Sequence, residues 1–480
     1  MTSADLNIKI GRNALYQIVG KSVSTLLGLI AVALMTRYLG KEGFGNYTTI
    51  IAYLQFFGIL VDLGLTIVTV QMIAERPAET NKIVSNIMTL RLVSAVIFLG
   101  LAPLIIWFFP YASLIKIGVA ITTLSFFFIT LNQILIGVFQ KELRTDKVAL
   151  AEVIGRIFLV IFVFLAVTNN LGLLAIMTAI VLGSLANFIV NYLFSLKYVR
   201  LKLSFESVLW REILSKSWPL GLAIIFNLIY LKADTIILSL VRPQSEVGLY
   251  GAPYRVLEII MQFPFMFIGI ILPLLSAAWK KRDTVSFRHA YQLAFDVLSL
   301  MAIPLAFGTY FVAEKMMVLV AGQDFFLSGA FLRILMLAIV MMFWGTLFGH
   351  AIVALNKQKV MVLGYIITAI VALSGYLFVI PKYGAWGAAW MTVASETLIT
   401  ILTFLVVTRV TKILPSFKAA GKAFAASLVM SLVLYRLPGT NLFTLLIISL
   451  AVYALVLYLL KGYSLTFIKK LARLRVSKKI

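Results

Sequence analysis

Six cationic side chains, Lys21, Arg91, Arg156, Lys232, Arg255 and Arg333, stand inside stretches otherwise apolar enough to cross a bilayer. A Lys or Arg at the centre of a membrane helix costs about 2.5–3.5 kcal/mol. Six of them facing lipid would cost roughly 15–20 kcal/mol, more than the usual total margin of a folded domain. They must therefore meet acids, each other or a polar cavity, and a cavity lined with positive charge points to an anionic cargo. Arg grips phosphate oxygens bidentately, whereas Lys acts as a point charge.

Spacing separates the six. Glu152 and Arg156 stand at i,i+4 and Arg255 and Glu258 at i,i+3, so each pair can meet on one helix face. The spacing predicts a local ion pair for Arg156 and leaves Arg255 divided between pairing and cargo. Lys232 and Asp234 are two apart and point to different faces. Lys21, Arg91 and Arg333 have no acid at helical spacing within their spans. At 1.5 Å of rise per residue, Lys21 and Arg91 fall in the inner half of the bilayer, Lys232 near its middle, and Arg255 and Arg333 in the outer half. Facing one lumen, they would form a ladder for an anionic group. The embedded acids Asp62, Asp234 and Glu396 read either as counter-ions to these cations or as sites coupling transport to an ion gradient. Asp296 lies close enough to a span end to reach the interface.

The elements that must position these charges are membrane helices. The 480-residue chain is 62% hydrophobic with mean hydropathy +1.04, and only 12% of it is charged, about half the soluble norm. Fourteen apolar runs are each long enough for a hydrocarbon core about 30 Å thick. The fold class is an all-α polytopic membrane protein. The first run is too long for a signal-peptide core and is expected to be a retained span. With the N-terminus placed in the cytoplasm, Lys and Arg crowd the cytoplasmic segments, as the positive-inside rule requires. The net charge of +24 then reflects topology rather than nucleic-acid binding. The basic tail around Lys469–Lys479 is expected to meet anionic membrane lipids. Both termini are expected to be cytoplasmic, in the cell membrane.

The longest loop, 197–216, carries Leu201, Phe205, Leu209 and Ile213 at four-residue spacing, the pattern of an amphipathic helix lying on the membrane face. It divides the chain into a bundle of six spans over 1–196 and a second over 217–410, with two further helices and the tail over 411–480. The halves share short matches: Gly45-Asn46-Tyr47 with Gly248-Leu249-Tyr250, Lys147-Val148 with Lys359-Val360, and Gly172 with Gly384. They favour a six-plus-six duplication about a pseudo-two-fold along the membrane normal.

The stretch Arg37-Tyr38-Leu39-Gly40-Lys41-Glu42-Gly43-Phe44-Gly45-Asn46-Tyr47, followed by Val61-Asp62-Leu63-Gly64-Leu65, resembles the polysaccharide flippases of the multidrug/oligosaccharidyl-lipid/polysaccharide exporter superfamily. Lys232-Ala233-Asp234, Glu246-Val247-Gly248-Leu249-Tyr250, Gly384-Ala385-Trp386-Gly387 and Glu396 extend the likeness into the second half. The resemblance implies two bundles around a central cavity and transport of undecaprenyl-diphosphate-linked sugars from the inner to the outer leaflet. The candidate cargo-binding residues are Lys21, Arg91, Lys232, Arg255 and Arg333. The candidate ion-coupling or counter-ion residues are Asp62, Asp234, Glu258 and Glu396.

The inventory argues against an enzyme, because the chain has no Walker loop, no His-Glu-x-x-His motif, no Cys/His cluster and no long loop bearing paired acids. No cofactor or metal is expected. A cation-coupled multidrug exporter of the same superfamily is the rival transporter, though embedded positive charge suits it poorly. A scaffold of a polysaccharide-assembly complex is the rival of another class. A polysaccharide polymerase or glycosyltransferases are the candidate protein partners.

Overall fold

A computed structural model describes residues 3–462, and these form helices with no strand among them. The basic tail at 469–479 lies outside the described residues. Among the described residues, twelve helical segments are long and apolar enough to cross a membrane. Two of these, Val19–Glu75 and Gln358–Thr411, run to 57 and 54 residues, far beyond the ~20 a crossing needs. Each is bent where the sequence places a loop between spans, at Gly40 (φ 61°) and Gly384 (φ 56°). Large apolar side chains such as Leu26, Ile97, Phe164, Phe378 and Ile447 are exposed along the helices, the surface expected where lipid replaces water.

The chain divides into two compact units, Met1–Gly248 and Leu249–Ile480. The first holds α1 (Ser3–Asp62), α2 (Leu65–Glu75), α3 (Thr80–Ile105), α4 (Ser113–Lys141), α5 (Thr145–Thr168), α6 (Gly172–Ser195) and α7 (Ser207–Val241). The second begins within α8 (Gln244–Ile260) and continues through α9 (Gln262–Lys280), α10 (Thr284–Ala321), α11 (Ser328–Ala354), α12 (Gln358–Thr411), α13 (Lys418–Tyr435) and α14 (Leu442–Leu459). The observed boundary falls later than the 196/217 division read from the sequence, because α7 packs on α1, α2 and α3. In the second unit α13 and α14 pack on α10, and Lys315 donates to the carbonyls of Pro438 and Thr440 in the turn between them.

Two features bear on the internal repeat. The matched glycines Gly172 and Gly384 both adopt positive φ, at 77° and 56°, a region in which a Cβ is penalised. The matched glycines Gly45 and Gly248 lie against each other: a Cβ on Gly45 would run into the carbonyl of Gln244, and one on Gly248 into that of Lys41.

The amphipathic helix expected over the linker forms only in part. Residues 199–206 are extended along α3, and helix starts at Ser207 and runs unbroken into the next span. The backbone N–H groups of Arg200, Lys202, Ser204 and Glu206 donate to side-chain oxygens of Asn81, Ser85, Thr89 and Asn86 at 2.9–3.2 Å. Two extended residues advance about 6.6 Å, close to the ~6 Å of four helical residues. From Arg200 to Ser204 every second N–H therefore meets a polar side chain one turn further along α3, Glu206 then bonds back to Asn86, and this ladder holds Leu201 and Phe205 out of the helix. Val199, Leu209 and Ile213 bury into the core formed by α2, α3 and α4. Arg76 clamps Glu212 bidentately at 2.6 and 3.1 Å, and Lys216 reaches Glu75 at 3.1 Å.

Candidate functional site

A polar pocket of about 370 Å³ opens inside the first unit, between α1, α4, α5 and α6. Its chemistry comes from Lys21, Asn132, Gln133, Glu152, Arg156 and Asn187. Helix α5 approaches α6 closely because Gly155 faces Gly183; a Cβ on Gly155 would stand 2.8 Å from the Gly183 carbonyl oxygen. That approach brings Glu152 and Arg156, one turn apart on α5, opposite Asn187 on α6.

Within the pocket Lys21 Nζ donates to Glu152 Oε1 at 2.9 Å. This corrects the expected Glu152–Arg156 pair: the acid is taken by a lysine 131 residues away, and Arg156 makes no ion pair or hydrogen bond among the described residues. Lys21 and Glu152 cancel, so the pocket carries the uncompensated charge of one guanidinium.

Beside the pocket lies a second cluster. Arg91 is fully buried, and its Nη1 lies 2.6 Å from Asp62 Oδ1 and donates to the Val61 carbonyl at 3.2 Å. Its Nη2 donates to Thr66 Oγ1 at 2.8 Å and to Gln133 Oε1 at 2.9 Å. Asp62 ends α1 just before the left-handed residues Leu63 and Gly64, and its carboxylate also accepts the N–H groups of Gly64 and Thr66 at the start of α2. Arg91 thus pins the α1–α2 break and orients Gln133, which in turn lines the pocket. It does not point into a lumen as a free cation.

The other sequence candidates are placed as follows. Arg333 donates to Glu314 at 2.6 Å and to the Tyr310 carbonyl at 2.8 Å while lying over the Tyr310 ring. Arg255 pairs with Glu258 at 2.8 Å, as the i,i+3 spacing allows. The ladder of unpaired cations is therefore replaced by pairs, because acids on neighbouring helices reach Lys21, Arg91 and Arg333. Lys232 is half-buried on α7, and Asp234, fully buried there, accepts from the Thr235 backbone N–H at 2.6 Å. Glu396 on α12 is buried without a hydrogen-bonding or ionic partner among the described residues. Asp296 accepts from Gln292 at 2.7 Å. The carboxamides Asn132, Gln133 and Asn187 are the residues that charge-centred reading passed over, and Arg156 is the one it assigned to a local ion pair. The signal of the carboxamides was polar side chains at helical spacing in apolar runs, Ser184-x-x-Asn187-x-x-x-Asn191 above all.

Helices long and apolar enough to cross a membrane, with a polar pocket among those of the first unit, define a multi-pass membrane protein. The chain belongs to the polysaccharide biosynthesis protein family, whose model matches residues 10–279. It is 25% identical over 352 residues, covering 71% of this chain and 73% of the relative, to a probable low-salt glycan biosynthesis flippase of Haloferax volcanii. It is 22% identical over 409 residues, covering 81% and 98%, to a putative O-antigen transporter of Shigella dysenteriae. Among solved structures it is similar to the lipid II flippase MurJ in an inward closed conformation, with TM-score 0.77 and 17% identity over 96% of this chain and 100% of that one. An inward-facing multidrug resistance MATE family transporter matches with TM-score 0.69 and 15% identity over 83% and 98%.

Proposed function

We propose that this protein flips an undecaprenyl-diphosphate-linked oligosaccharide, of the O-antigen, capsule or teichoic acid kind, from the inner to the outer leaflet of the cytoplasmic membrane. The observation that carries the reading is Arg156, a guanidinium without an acid partner among the described residues, at a polar pocket inside an apolar bundle. A cation held there at the membrane's cost is explained by an anionic cargo. Family membership and the flippase and O-antigen transporter names of the relatives support it. The same charge argues against a cationic drug as cargo. Transport proceeds by alternating access, with both termini cytoplasmic, and Glu396 is the candidate site for coupling to an ion gradient.

Complementation of a flippase-deficient strain tests the proposal. Export is restored by the wild-type chain and lost with Arg156→Gln at equal membrane abundance. Full export by Arg156→Gln would remove the cargo role of the pocket. Failure of the wild-type chain to restore export of any lipid-linked glycan, in its own host's deletion strain, would remove the transport reading.

A further inference from the structure

The pocket in the first unit has a need that a diphosphate cannot meet. Asn132 is only 6% exposed, lines the pocket, and its Oδ1 has no hydrogen-bond partner. Its Nδ2 makes only a long contact of 3.5 Å to Asn187 Oδ1, which also accepts from Asn191 Nδ2 at 2.9 Å. A buried carbonyl left unpaired is destabilising, and this one is an acceptor. The oxygens of an ionised diphosphate are acceptors too, so they satisfy Arg156 and leave Asn132 wanting. A ligand that answers both must offer donors beside an anionic group. Sugar hydroxyls and acetamido N–H groups are such donors.

Gln133 adds to the same wall. Its Oε1 is held by Arg91 at 2.9 Å, which fixes the orientation of the amide whose other end is a donor. The arrangement therefore carries a fixed donor amide, an unmet acceptor and one guanidinium. The volume of about 370 Å³ lies within the ~300–1,000 Å³ range of small-molecule sites.

We propose that this pocket is a saccharide subsite: Asn132, with Gln133 and Asn187 beside it, reads the hydroxyls or acetamido group of one sugar residue, and Arg156 holds an adjacent anionic group. The assignment rests on the flippase reading and deepens it, because it makes the first unit the part that distinguishes a glycosylated lipid from the bare carrier. The anionic group belongs either to the diphosphate linkage or to an acidic sugar, and both present the same chemistry to Arg156.

Native mass spectrometry of the purified full-length chain provides the test, with two probes in competition: bare undecaprenyl diphosphate and the lipid-linked glycan pool extracted from the protein's own host. The wild-type chain is expected to retain the glycosylated lipid about tenfold over the bare one. Asn132→Leu, close to isosteric and checked for the same monodisperse elution as wild type, lowers that ratio towards one. Asn187→Leu, checked for the same monodisperse elution, provides a second variant with the same expected loss. Arg156→Gln separates the two anion sources. Binding of both lipids falls together if the diphosphate is held there, and only that of the glycosylated lipid falls if a sugar acid is. A wild-type chain without preference, or Asn132→Leu and Asn187→Leu chains that keep the wild-type ratio, would overturn the subsite. A wild-type chain that retains neither lipid would overturn the transport reading beneath it.

Discussion

The buried pair of Arg91 and Asp62 allows the role of a membrane-embedded cation to be separated from its mere presence. Asp62→Asn keeps one oxygen to accept from Thr66 and Arg91, turns the oxygen that accepts from Gly64 into an NH2 donor, and removes the charge. The guanidinium would then be left with the neutral acceptors Thr66 Oγ1, Gln133 Oε1 and the Val61 carbonyl. Removing one partner of a buried ion pair costs about 3–5 kcal/mol. Arg91 is fully buried, but the Asp62 side chain keeps 15% exposure, so water tempers the loss and the lower end, about 3 kcal/mol, is expected. At roughly 2–4 °C per kcal/mol for a unit of this size, the melting temperature should fall by about 6–12 °C. The assay is fluorescence-detected thermal unfolding of purified protein in one detergent at one scan rate. Asp62→Asn combined with Arg91→Gln should recover at least half of the loss, since the stranded charge is gone. Arg156→Gln, which breaks no ion pair, should melt at or above the wild-type temperature. Asp62→Asn melting within 1 °C of wild type, or a double variant no better than the single, would refute the reasoning.

Three further outcomes follow from the geometry. Gly45→Ala places a methyl group against the Gln244 carbonyl, and because backbone cannot yield as a side chain can, it should cost about 1–3 kcal/mol, seen as a lower melting temperature. Glu212 is held below the ordinary carboxylate range, chiefly by its hydrogen bonds from Arg76 and then from Lys216. Its contribution is therefore present above the unfolded carboxylate pKa and fades as pH falls through the depressed value. The gap in melting temperature between wild type and Glu212→Gln should close as pH is lowered from 7 towards 3. Glu396→Gln, a buried carboxyl without a partner among the described residues, should leave the melting temperature unchanged or raised. If Glu396 couples transport to protons, that variant exports glycan at a rate that no longer responds to the pH gradient.

Much of the architecture was legible in the sequence because the bilayer imposes it. Hydrocarbon thickness fixes the length of an apolar run, and the breaks at Gly40 and Gly384 fall where polar and small residues interrupt those runs. Contacts within one helix face were legible too, and Arg255–Glu258 is the example. The same rule misled at Glu152. Helical spacing offered it Arg156, but the packing of α1 on α5 brought Lys21 to 2.9 Å and left the arginine without the acid. The linker misled in a similar way, since its four-residue apolar spacing could not reveal the polar ladder that α3 presents to it.

By itself the sequence determined that this is a polytopic helical membrane protein with more buried cations than lipid could tolerate. It also determined that some partner, acid or cargo, must meet each of them. Which cations are neutralised was decided only by tertiary structure. Charge partnership depends on a few ångströms between side chains on different helices, and those distances are set by how glycines and apolar faces let the helices approach. In the first unit that approach pairs Lys21 and Arg91 with acids and leaves Arg156, at a pocket with carboxamides, without an acid among the described residues.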